Sequence, residues 1–351
     1  MQYVLFGIVV VGSIIYAANM QQVNQGQGRL VKGLLLFLSI LGISFGGLVL
    51  LTAIGSSLGE ASAEQVENPE IGIGVALAFI AVSLVLGSSS MIVVVSLRAR
   101  QWIARTVIRS GKHQRRYRPD SMVHTTAIVL ALLAILFVLG NFILAGGIEG
   151  LAAEFEASGS SFGELLGNVL MFVLFALIGV GLFIRRNGQQ TLQRLGLNTI
   201  TSRQVLIGAG AGFMMFWIAW GLLAAWTLFA SPEQIAEQTA ASEQLFLAYS
   251  SSLLAGFMLA ITAAIGEEIL FRGAIQPIFG IFWTSAFFVS LHSQYILTPT
   301  AVVIFGVAVM FGWLRYRFNT TTAIMAHFVY NFIPFLLVWT VGQFPMESVI
   351  R

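Results

Sequence analysis

Of the 351 residues, 57% are hydrophobic and only 9% charged, against roughly 45–50% and about 25% in soluble domains, which excludes a water-soluble globule. The formal charge is +3, and the absence of cysteine excludes disulfide frameworks, thiolate metal sites and cysteine nucleophiles.

Apolar runs long enough to cross a hydrocarbon core of about 30 Å recur down the chain. In order they cover residues 3–20, 33–54, 72–96, 123–145, 167–184, 205–229, 250–271, 281–297, 301–314 and 321–342, the ninth being short. They predict an all-α fold, a polytopic transmembrane bundle of about ten helices. No Lys or Arg precedes the first run, which therefore lacks the basic segment of a cleavable signal and reads as a retained span.

The connections sort by charge. Arg29 and Lys32 follow the first span, eight basic residues from Arg98 to Arg118 the third, and Arg185, Arg186, Arg194 and Arg203 the fifth. Arg272 follows the seventh, and Arg315 and Arg317 the ninth. With alternating spans, every Lys and Arg except Arg351 falls on one side. The intervening loops are acidic, with Glu60, Glu64, Glu67 and Glu70, then Glu149, Glu154, Glu156 and Glu164, then Glu233, Glu237 and Glu243. Short basic loops stay cytoplasmic, so both termini are expected outside the cytoplasm. The basic loop 97–121 reads as a topology determinant that also meets anionic headgroups, not as a nucleic-acid site. His113 and His124 read as ordinary interfacial residues.

Through the first six spans no Asp, Glu, Lys or Arg falls inside an apolar segment. The seventh departs from this with Glu267 and Glu268, and Arg272 stands directly at its end. Adjacent carboxylates in an apolar helix cost at least a few kcal/mol each on insertion scales, which marks the pair as functional. Glu268 and Arg272 are four apart and share a face, so they are expected to form an ion pair. Glu267 points about 100° away and is free to face a cavity. The eighth span holds Phe288 and His292, and the tenth His327 and Asn331, each pair again four apart. At 1.5 Å per residue, Glu267, His292 and His327 are each expected roughly 12–15 Å from the cytoplasmic boundary, with Asn331 about one turn deeper.

Glu-Glu-x-x-x-Arg at 267–272, Phe-x-x-x-His at 288–292 and His-x-x-x-Asn at 327–331, in that order on separate helices, resemble the three motifs of the CPBP intramembrane proteases. This is the CAAX-protease and bacteriocin-processing (Abi) family, of the same superfamily as the eukaryotic Ras-converting CAAX prenyl endopeptidase. The resemblance covers about residues 245–340. It divides the chain into an N-terminal transmembrane region of unassigned role, 1–203, and a C-terminal region, 204–345, that holds the core. It implies an integral membrane enzyme that hydrolyses a peptide bond of a membrane-associated or lipidated protein or peptide, with the bilayer as its other partner.

Amide hydrolysis needs an activated water, an oxyanion stabiliser and a proton for the leaving amine. Glu267 is the expected general base, on a water that His292 also holds, and His327 and Asn331 are the expected oxyanion donors; the resemblance implies the same assignment. Glu268, Arg272 and Phe288 are supporting residues. A metal-free mechanism without cofactor is favoured, and zinc or another divalent ion, if used, would take Glu267, His292 and His327. Their places on three helices lack the compact His-Glu-x-x-His spacing. Two other function classes stay open: a transporter using Glu267, His292 and His327 as a proton or substrate relay, and a non-catalytic scaffold or immunity protein. The absence of repeated halves weighs against the first and the complete motif set against the second.

Overall fold

The computed structural model describes residues 2–23, 28–59, 72–108, 117–147, 150, 162–197, 199, 201–236, 252–292, 295 and 298–342. The expectations for the acidic loops at 60–70 and 149–156, for Glu237 and Glu243, and for His113 lie outside these residues. Among the described residues the chain is helical, without a β-strand. The principal helices are α1 (Gln2–Val23), α2 (Gly28–Gly59), α3 (Ile73–Val95), α4 (Leu97–Thr106), α5 (Met122–Leu144) and α6 (Phe162–Val180). They continue with α7 (Gly188–Leu195), α8 (Ser202–Trp226), α9 (Leu253–Glu268), a π-helical segment (Ile269–Ile275), α10 (Gln276–Ser290), α11 (Pro299–Arg317) and α12 (Thr320–Gly342). Among the described residues eight helical stretches are long and apolar enough to cross a membrane, and α1 adds the shorter apolar stretch Gly7–Val23. The fold is an all-α membrane bundle, as composition requires.

Burial follows the rules of a lipid solvent. Leu51, Val85 and Leu206 are exposed, while Ser39, Ser83, Ser90 and Thr125 are buried. Apolar side chains gain little by leaving lipid for one another, so small and hydroxyl-bearing residues collect between helices. The hydroxyls are satisfied within their own helices, with Ser39 donating to the Leu35 carbonyl and Ser83 to that of Phe79, each at 2.8 Å. At Gly208 close approach replaces side-chain packing, because a Cβ there would stand 2.8 Å from the Thr322 carbonyl oxygen of α12.

The helices α2, α3 and α5 pack on one another, and α1 packs on α5 and α6. In the C-terminal half α12 packs on both α8 and α9, and α10 packs on α11. Helix α6 joins the halves, since its other face lies on α9 and the π segment.

The run Leu253–Ser290 is continuously helical over 38 residues, yet it consists of two limbs. Gly280 has φ 81° and ψ 172°. The rings of Phe271 and Phe288 stand 5.1 Å apart, whereas a straight helix would separate these positions by about 25 Å. The chain therefore reverses at Gly280, and the seventh and eighth expected spans are neighbours. Two features differ from the sequence expectation. The first limb winds as a π-helix over Ile269–Ile275. The second ends at Ser290 instead of continuing to 297, so His292 lies just past a helix end.

The backbone conformation of Gly280 is essentially confined to glycine, with a strain of about 1–3 kcal/mol for other residues. Gly280→Ala should therefore lower the thermal unfolding midpoint in detergent. Gly210→Ala, in α8 with open space around its would-be Cβ, should leave the midpoint unchanged or raise it. Equal midpoints for wild type and Gly280→Ala would contradict a reversal at this residue.

Candidate active site

The site is built around Arg272 in the π segment, a guanidinium with 0% exposure. Glu268, also fully buried, lies on the same face with Oε2 3.3 Å from Arg272 Nε, so the expected ion pair is present. The two atoms lack hydrogen-bond alignment. Other elements complete the surroundings of the cation. Arg272 Nη2 donates to the Ala308 carbonyl at 3.2 Å, and the Phe288 ring centre lies 4.8 Å from the guanidinium carbon. Phe311 approaches to 6.0 Å on the same criterion. π-helical turns are rare and collect at functional sites.

The other oxygen of Glu268 reaches across to α12. Its Oε1 is 2.9 Å from His327 Nδ1. A carboxylate accepts, so Nδ1 carries the proton and Nε2 is the nitrogen turned toward the site. Nε2 stands 3.9 Å from Glu267 Oε2. The Phe311 ring stacks on the imidazole at 4.9 Å with a 21° tilt. His327 is thus fixed from two sides while Glu267 keeps 20% side-chain exposure. The two adjacent glutamates have the separate environments expected from their 100° offset.

His292 also has one nitrogen committed. Its backbone N–H donates to the Val289 carbonyl at 3.0 Å, and Nδ1 donates to the Phe288 carbonyl at 2.8 Å. Those carbonyls belong to the last turn of α10, where helices leave acceptors unsatisfied, so His292 caps the helix that it was expected to continue. Its Nε2 remains uncommitted. The ring lies 4.6 Å from that of Phe288, and Phe288 in turn lies 6.2 Å from His327. Among the described residues His292 is outside ion-pair distance of either glutamate. Asn331 lies one turn beyond His327 on α12, half-buried. His124 has the ordinary role expected of it, accepting at Nδ1 from the Arg118 backbone N–H at 2.9 Å.

Phe311 and the Ala308 carbonyl are the participants that motif spacing did not reveal. Ala308, Phe311 and Arg315 recur three and four apart on α11, a helical stripe that faces the Arg272 limb.

Both imidazoles turn Nδ1 onto an acceptor and leave Nε2 free, an arrangement also common to metal-ligating histidines. A site for zinc requires three such donors to converge. Among the described residues no group of three His, Asp or Glu side chains is close enough to share an ion. Glu267, His292 and His327 do not form that set as they stand.

Residues 249–333 match the family model described as type II CAAX prenyl endopeptidase, Rce1-like. The match spans about a quarter of the chain and includes all three motifs. No curated protein and no solved structure matches the chain.

The geometry separates the glutamates energetically. Glu268→Gln leaves Arg272 as an uncompensated buried charge, a loss of about 3–5 kcal/mol. Glu267→Gln should stay within about 0.5 kcal/mol of wild type, as changes outside buried networks do. Unfolding of both variants in micelles measures the difference, and equal losses would contradict it.

Proposed function

We propose, from the CAAX-protease family membership of residues 249–333, that the protein is an intramembrane endopeptidase cleaving a membrane-associated or lipidated protein or peptide with a water activated by Glu267. The observation that carries this reading is the 3.9 Å separation of Glu267 Oε2 and His327 Nε2 at the edge of a fully buried charged network.

Glu267 removes a proton from a water that His292 Nε2 also holds, and the water oxygen attacks the scissile carbonyl carbon. The carbonyl oxygen becomes an oxyanion. His327 as the imidazolium donates Nε2–H to it, with the Asn331 side-chain amide as a second donor. A nucleophile on Glu267 and an oxyanion on His327 are then adjacent, as attack on one carbon requires. The proton held by Glu267 passes to the amide nitrogen, directly or through His292, as the C–N bond breaks. Glu268 accepts from His327 Nδ1–H throughout, keeping the ring in one orientation. A relay in a transporter would use the same ionisable groups, but family membership and the adjoining base and donor favour hydrolysis. The basic connections are taken as cytoplasmic, in keeping with their charge.

Glu267→Gln should fold normally, lose cleavage and retain substrate, so that the trapped protein can be identified by mass spectrometry. His327→Ala and Asn331→Ala should each lower kcat by roughly 10²–10³-fold with little change in KM. Wild-type cleavage should survive thorough chelation. Cleavage by Glu267→Gln would overturn the reading. One tightly bound zinc per active chain, lost in His292→Ala and His327→Ala, would overturn only its metal-free form.

Cysteine labelling in intact cells tests the orientation. Ser110→Cys should react only from the cytoplasmic side and Ser242→Cys only from the opposite side, and the reverse pattern would invert the topology.

A further inference from the structure

At the end of the bundle where the chain reverses, a cleft of about 580 Å³ opens beside Pro277. Arg185 and Arg186 from the α6–α7 connection, Arg194, Gln190 and Gln193 of α7, and Arg315 of α11 form its walls. Four guanidinium groups meet there, and none of the described lining residues is acidic. Asp120 is the one acid in the basic connections, and it is bound to Arg118 at 2.9 Å.

Three of the arginines are oriented by neutral oxygens. Arg185 donates from Nε to Asn19 Oδ1 at 2.8 Å and from Nη1 to Gln22 Oε1 at 2.7 Å. Arg315 Nε donates to the Arg272 carbonyl at 3.3 Å. Arg194 donates to the carbonyls of Gly273 at 2.7 Å and Ala274 at 3.1 Å. Neutral oxygens thus fix these planar forks at the cleft wall. Burial and the neighbouring charges of Arg186 and Arg118 push the Arg185 guanidinium down to about 10, which still leaves it charged at neutral pH.

A fixed set of guanidinium forks matches the geometry of phosphate oxygens, and basic pockets between membrane helices take phosphate headgroups. We propose that this cleft is a binding site for a phosphate group, carried by an anionic phospholipid headgroup or present as free phosphate. The site is independent of the proteolytic reading. It is physically joined to the candidate active site all the same, because Arg194 and Arg315 hold the carbonyls of Arg272, Gly273 and Ala274. Occupancy should therefore stabilise the π segment and the fold.

The full-length protein, delipidated in a neutral detergent, is titrated with phosphatidylglycerol, phosphatidylcholine and inorganic phosphate. Native mass spectrometry counts bound lipid, and the unfolding midpoint is read in parallel. Phosphatidylglycerol should be retained at about one per chain and raise the midpoint, with phosphatidylcholine much weaker. If inorganic phosphate raises the midpoint and displaces the lipid, the phosphate group alone is the determinant and free phosphate is a sufficient ligand; a response to phosphatidylglycerol only identifies the lipid as the source. Arg185→Gln should weaken binding about fivefold, the change corresponding to about 1 kcal/mol per arginine. Gln193→Glu, at an exposed position on the cleft wall, should weaken it at least as much without removing a structural hydrogen bond. No response to either phosphate ligand, equal retention of phosphatidylcholine, or wild-type binding by both variants would overturn the proposal.

Discussion

A fully buried guanidinium in an apolar bundle is tolerable only when surrounding groups answer its charge, and the C-terminal helices are arranged around that requirement at Arg272. Glu268 comes from its own helical limb, the Phe288 ring from α10, and the Ala308 carbonyl and Phe311 ring from α11. Glu268 in turn binds His327 of α12. One charge thus fixes the mutual register of α9, α10, α11 and α12. The reversal at Gly280 belongs to the same requirement, because only a folded-back α10 brings Phe288 beside Arg272.

The network also distributes reactivity. Glu268 is occupied by Arg272 on one oxygen and His327 on the other, so it acts through its partners. Glu267 has no such pair of commitments and keeps contact with the open side. Each histidine presents a single nitrogen because the other is bound, in His327 to a carboxylate and in His292 to a helix-end carbonyl. Unpartnered side chains in a low-dielectric interior would sample several tautomers and rotamers. These have been reduced to one arrangement, which is the preorganisation the proposed hydrolysis would use.

The parts legible in the sequence are those governed by local periodicity. The apolar runs, the Glu268–Arg272 pair and the offset of Glu267 all follow from helix geometry within one segment. The proximity of Glu267 to His327 followed from depth along separate spans, a one-dimensional argument. Contacts that depend on rotation about a helix axis were not legible. The Glu268–His327 hydrogen bond and the stacking of Phe311 need the azimuth of α11 and α12 relative to α9, which no spacing within a helix encodes. The π turn is hidden for a related reason, since one extra residue per turn is stabilised by tertiary contacts of Arg272 and leaves the apolar pattern of 269–275 unchanged. The end of α10 at Ser290 was obscured because Leu291, Ile296 and Leu297 extend the hydrophobic run past the point where His292 closes the helix.

Helix α6 precedes the matched family segment, yet it forms the wall behind the glutamates. A Cβ on Gly266 would stand 3.2 Å from both the Val169 backbone and the Phe172 ring, so α6 and α9 touch at the residue before Glu267. Phe172 also meets the Phe271 ring at 6.4 Å, and Ala176 and Val180 share a core with Ile269 and Ala274. Small shifts of α6 would therefore be felt by the limb that holds the carboxylates, because packed interiors transmit displacement instead of absorbing it. Through its contact with α1, and through Arg185 bound to Asn19 and Gln22, α6 connects that limb to the N-terminal helices. The N-terminal region is consequently part of the support of the candidate active site, and its contribution is to hold the back of α9 while the opposite face meets His327.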